Sequence, residues 1–132
     1  MGWMERSAYA RLYATVTGSF FVLLGFAGLL VNSEFRAPEL TSDLLGFYPV
    51  NGWASALHVV VGVLGLILAR PLPRLYAILA GLVFTALGIW GLFAANGTML
   101  LGGLPALRPV NLVNLLFGLA GLAAWAASRW DR

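Results

Sequence analysis

Residues 11–31 read RLYATVTGSFFVLLGFAGLLV, and residues 74–94 read RLYAILAGLVFTALGIWGLFA. Each is a long apolar run behind a single arginine. A helix of about 20 residues rises roughly 30 Å, the thickness of a bilayer's hydrocarbon core. Two more runs complete a set of four: Leu12–Val31, Trp53–Ala69, Leu75–Ala95 and Val110–Ser128. Of all their side chains, only His58 titrates near neutral pH. The pattern predicts an all-α, integral membrane four-helix bundle, one domain over residues 1–132 with an outer loop at 32–52.

Composition points the same way. Hydrophobic residues make up 61% of the chain and charged residues 10%, with mean hydropathy +0.88. A soluble domain carries about 25% charged residues, so too little polar surface remains to face water. The eight basic residues are all Arg, scattered singly, and the net charge is only +3. No basic stripe exists for a nucleic acid. Cysteine is absent, which excludes disulfides, thiolate nucleophiles and thiolate metal sites. No catalytic constellation is visible, so the expectation is a protein that is not an enzyme.

Basic residues near span ends set orientation. Arg6 and Arg11, Arg70 and Arg74, and Arg129 and Arg132 mark one side, against Arg36 and Arg108 on the other. Both termini are therefore expected in the cytoplasm, with the first and third loops outside. The first run is longer than a signal-peptide core, and Val31-Asn32-Ser33 is a poor cleavage site, so it reads as a retained anchor. Gly2 is no myristoylation site, because Arg6 stands where Ser or Thr is needed. Asn96-Gly97-Thr98 fits a glycosylation sequon but reads more simply as a turn.

The two quoted stretches form an internal repeat. At an offset of 63, Gly18, Gly25 and Gly28 match Gly81, Gly88 and Gly91. At an offset of 56, Pro49, His58, Gly62 and Gly65 match Pro105, Asn114, Gly118 and Gly121, the first loop being seven residues longer than the third. Each copy is a two-helix hairpin that returns the chain to its starting side. The hairpins must then be parallel-related, about an axis along the membrane normal. The ten glycines are expected to be helix-packing positions, because close backbone approach substitutes in lipid for the missing hydrophobic drive.

Polar residues within the spans are few. His58 lies roughly 8 Å below Trp53, and its counterpart at the same depth is Asn114. Ser55 maps likewise onto Asn111. These four form the candidate site, either an interhelical polar pair or a ligand-binding group. The ligands considered are a quinone, a lipid headgroup or a haem, although one histidine alone is thin support for haem and no cofactor is predicted. No carboxylate accompanies His58 for proton transfer, and no donor set exists for a metal. Tyr13, Tyr76, Trp53, Trp125 and Trp130 near the span ends are expected in an interfacial aromatic belt. Arg11, Arg70 and Arg74 serve with Tyr13 and Tyr76 as membrane anchors, with Arg70-Pro71-Leu72-Pro73-Arg74 as a tight inner turn. In the first loop, Thr41-Ser42-Asp43 ahead of Leu44-Leu45 predicts a short helix lying on the outer surface.

The stretch Asn51-Gly52-Trp53, then Leu57-His58-Val59-Val60-Val61-Gly62, with Arg74-Leu75-Tyr76 and Asn111-Leu112-Val113-Asn114, resembles the domain of unknown function 4383 family. These are small four-span membrane proteins common in actinobacteria, and the resemblance runs from Arg11 to Trp125. It implies topology and no activity. Members often carry a second histidine where this chain has Asn114, a departure that weakens a two-histidine ligand model. A looser likeness connects the chain to DoxX-type four-helix membrane proteins. The expected role is a packing one, as a homo-oligomer or an accessory subunit of a larger membrane complex in contact with membrane lipid. The alternatives are a quinone-, haem- or lipid-binding protein and an oligomeric channel.

Overall fold

The computed structural model describes residues 7–130, with side chains through Ser128. Gly2, Arg6 and Arg132, and the side chains of Arg129 and Trp130, lie outside the described residues. The described residues are mostly helical, with four helices among them: α1 (Ala8–Val31), α2 (Gly52–Leu68), α3 (Pro73–Phe93) and α4 (Arg108–Trp130). Three of them, α1, α3 and α4, are long and apolar enough to cross a membrane, whereas α2 is a shorter apolar helix of 17 residues.

Local chemistry explains where the helices begin. Asn51 caps α2, its side-chain oxygen accepting the Ala54 N–H at 2.8 Å. Proline opens α3, where its missing N–H costs nothing. The Ser7 side chain does not cap α1. A first-turn donor is satisfied from the far end of the chain instead, as the Ala10 N–H donates to Ser128 Oγ at 2.9 Å.

The predicted short helix in the first loop does not form. Ser42–Leu44 (β1) pairs antiparallel with Tyr48–Val50 (β2), and Met99–Leu100 (β3) pairs with Leu104–Pro105 (β4) in the third loop. The turns explain this. Leu45 and Gly46 have φ of 54° and 80°, and Leu101 and Gly102 have 53° and 77°, left-handed conformations that no right-handed helix can accommodate. Glycine takes such a φ freely, but leucine does so at a steric cost. Both leucines project outward, 84% and 78% exposed.

α1 packs chiefly on α2 and α3 on α4, and the two pairs share one core. That core contains Tyr13, Phe21, Tyr76 and Phe84 with small residues Ala10, Ala14, Ala77 and Ala80 around them. Phe21 and Phe84 stack with ring centroids 4.8 Å apart and planes within 6°. Meanwhile Leu30 and Phe93 point away from everything, each 89% exposed.

Contacts recur at the offsets of 63 and 56. A methyl added at Gly18 would lie 2.8 Å from the Gly62 carbonyl oxygen, and one at Gly81 would lie 3.1 Å from that of Gly118. Gly25 faces the Val59 nitrogen at 2.7 Å as Gly88 faces that of Leu115 at 2.8 Å. Gly28 abuts Ser55 as Gly91 abuts Asn111. Gly65 and Gly121 each make room for a tyrosine from the opposite pair, Tyr76 and Tyr13 respectively.

Candidate functional site

Sequence reasoning singled out Ser55 and His58 on α2 and Asn111 and Asn114 on α4, and the fold buries all four. Asn51 sets the start of α2 and hence the inward face of that helix. Besides capping, its amide donates to the Pro38 and Gly103 carbonyls, each at 2.9 Å, so a single side chain ties the first loop to the third. His58 sits two turns further on.

The His58 ring, 5% exposed, lies on the Phe21 ring with centroids 5.0 Å apart and planes 29° from parallel. Phe21 in turn stacks on Phe84, so imidazole and two phenyl rings form a column across the core. Nδ1 of His58 has no hydrogen-bond partner. Asn114 is also buried, but no hydrogen bond joins it to His58 among the described residues. Ser55 Oγ and Asn111 Oδ1, at matching positions, are likewise buried and unpartnered, each against a glycine of the adjacent helix.

Tyr13 and Tyr76 are not belt residues. Both are buried, with rings 6.0 Å apart. The Tyr13 hydroxyl donates to the Phe117 carbonyl at 2.8 Å, and that of Tyr76 to the Val61 carbonyl at 3.0 Å. Gly121 and Gly65 supply the space that draws them inward. Trp53 is half exposed, and its indole N–H donates to the Phe35 carbonyl at 2.8 Å. Of the arginines, Arg70 is exposed, and Arg74 lies over the Trp125 ring at 6.0 Å, a cation–π geometry.

Some residues escaped sequence reasoning. Tyr48, on β2, is buried with its hydroxyl unpartnered, and burial pushes its phenol above the ordinary range. Its signal was present, since Leu44-Leu45-Gly46 recurs as Leu100-Leu101-Gly102 at the offset of 56. Thr85 Oγ1 on α3 is buried, unpartnered and pressed against Gly118.

Hollows open at the surface of the described residues. One of about 430 Å³ lies between the end of α3 and the start of α4, lined by Asn96, Arg108 and Asn111 among others. A second, about 540 Å³, runs between the first and third loops beside Trp53 and Leu57. The third, about 210 Å³, is a wholly apolar groove between α2 and α3, walled by Val61, Val83, Tyr76 and Phe84 with neighbouring leucines. His58 lines none of them. Among the described residues no three His, Cys, Asp or Glu side chains gather where a metal ion would bind.

Comparison with known proteins gives a family match. A family model described as "Domain of unknown function (DUF4383)" covers residues 11–126. No curated protein and no solved structure matches the chain significantly.

Proposed function

The chain belongs to the DUF4383 family, and from that premise we propose that it is a multi-pass membrane protein whose role is packing rather than catalysis. On this reading it is a four-helix bundle of two parallel-related hairpins, an internal repeat, in the cytoplasmic membrane with both termini inside. The outward helix positions are apolar at their most exposed, as at Leu30 and Phe93, while Ser55, His58, Asn111 and Asn114 are withdrawn into the core. That inverts the arrangement expected in water. The pairings of Tyr13 with Tyr76 and of Phe21 with Phe84 fit α1 and α3 running the same way.

The observation that carries the packing role is the apolar groove between α2 and α3. It leaves one flank of the bundle with a shaped, non-polar face, and shape-matched van der Waals contact is what drives helix association in lipid. A second copy or a larger membrane complex is the occupant proposed. Native mass spectrometry from mild detergent tests it: wild type should appear as an oligomer or a stoichiometric complex, and Leu79→Trp at the groove wall should release monomer. A monomer for wild type overturns the reading.

A second reading has its own support. His58 Nδ1 is unpartnered beside stacked aromatic rings, and although His58 lines none of the hollows described above, this is the nitrogen that a quinone oxygen, a lipid headgroup or a haem would engage. Loss in His58→Ala of a co-purifying quinone, or of a visible absorption band, would favour this branch over packing.

A further inference from the structure

We infer that the outer end of α4 is a phosphate-binding site, formed by the α4 N-terminus, Arg108 and Asn111 at the mouth of the 430 Å³ hollow. The case comes from comparing the first turns of α2 and α4, which stand at equivalent positions. At α2 the chain satisfies its own donors. The Gly52 N–H donates to the Glu34 carbonyl at 3.3 Å, Asn51 Oδ1 takes the Ala54 N–H, and the Phe35 ring lies against Gly52. Glu34 and Phe35 both belong to the first loop.

At α4 none of this is present. Leu107 stands where α2 has Asn51, and leucine has no acceptor with which to cap. The N–H groups of Arg108 and Val110 find no partner among the described residues, and Pro109 has none to offer. Arg108, where α2 has Gly52, is exposed at the hollow and in no ion pair among the described residues. Asn111 is only 4% exposed, lines the hollow, and makes no side-chain hydrogen bond, with Oδ1 enclosed against Gly91. Its amide N–H₂ is then the polar end left for a ligand. Free first-turn amides, the positive end of a 23-residue helix and a guanidinium together suit a phosphate oxyanion. Its source is either the headgroup of an outer-leaflet phospholipid or free phosphate.

The test uses the full chain in maltoside micelles at low salt, with thermal unfolding as readout. Short-chain phosphatidylglycerol and inorganic phosphate are titrated separately. Wild type should gain several degrees in Tm with at least one of them. A response to the lipid alone identifies a headgroup, and a response to both identifies free phosphate as sufficient. Arg108→Gln, at an exposed position, should fold normally and need about tenfold more of the same probe. Leu107→Asn, which gives α4 the cap that α2 possesses, should also weaken the response while leaving the unliganded Tm unchanged or raised. Arg36→Gln, the other outer arginine, should respond as wild type does. Equal responses in wild type and Arg108→Gln, or no response to either probe, overturn the site. Oligomeric state is scored separately and is not expected to change.

Discussion

Two seams close this molecule, and they are built on the same plan with different side chains. Where α1 meets α4, Tyr13 reaches the Phe117 carbonyl, and Phe20 stacks on Phe117 with centroids 4.8 Å apart. Where α3 meets α2, Tyr76 reaches the Val61 carbonyl in the same manner, but the stacked pair is replaced by Val83 and Val61. The Phe20–Phe117 pair occupies the first seam, whereas the 210 Å³ groove lies at the second. Hydrogen bonds fix where two helices meet, and side-chain volume decides whether anything else fits between them. One backbone plan thus yields one closed flank and one receptive flank.

The largest effects should come from positions on which both halves depend equally. Gly25→Val and Gly88→Val place branched carbons against backbone that cannot yield, and each should cost about 3 kcal/mol in an SDS-titration unfolding assay. Tolerance of one but not the other would break the equivalence of the two halves. Next, Phe117→Val removes one ring of the stacked pair and should cost about 2 kcal/mol. Val61→Phe, its counterpart, adds a ring where there is already room and should cost less than about 0.5 kcal/mol. Similar losses from both changes would erase the distinction between filled and open seams.

Smaller effects sharpen the comparison. Tyr13→Phe and Tyr76→Phe each lose one interhelical hydrogen bond, worth about 0.6 kcal/mol on average in a membrane helix bundle. The two losses should agree when measured in the same unfolding assay. The smallest change concerns Tyr48, outside the helices. Burial raises its phenol, so the neutral form is favoured when folded. That contribution is fully present below the unfolded value of about 10 and is lost as pH rises through and beyond it. Wild type should therefore lose stability above about pH 10 more steeply than Tyr48→Phe, with the two nearly equal at pH 7.

Much of this was legible in the sequence. The helices lie where hydropathy placed them, α1 beginning four residues before the expected Leu12 and α2 one before Trp53. The glycine register carried the contact pattern because in close helix packing a missing Cβ is itself the contact. The two loop hairpins were hidden, since Leu45 and Leu101 occupy turn positions normally signalled by Asn or Gly. Tyr13 and Tyr76 misled for a different reason. A tyrosine near a span end suits the interface by composition, and only the space opposite Gly121 and Gly65 shows that it turns inward. Arg108 counted merely as a topology marker, because the absence of a cap at Leu107 acquires meaning only beside Asn51.

The crossed tyrosines have a consequence for ancestry. Each half donates a phenol to a carbonyl of the other, Tyr13 to Phe117 and Tyr76 to Val61. Two identical copies of one hairpin would supply both phenols and both receiving carbonyls, and would meet as a symmetric pair. Joining them in one polypeptide lifts the requirement that they stay alike. A twofold homodimer must keep both flanks filled or both open, whereas a fused descendant can seal one and leave the other free to specialise.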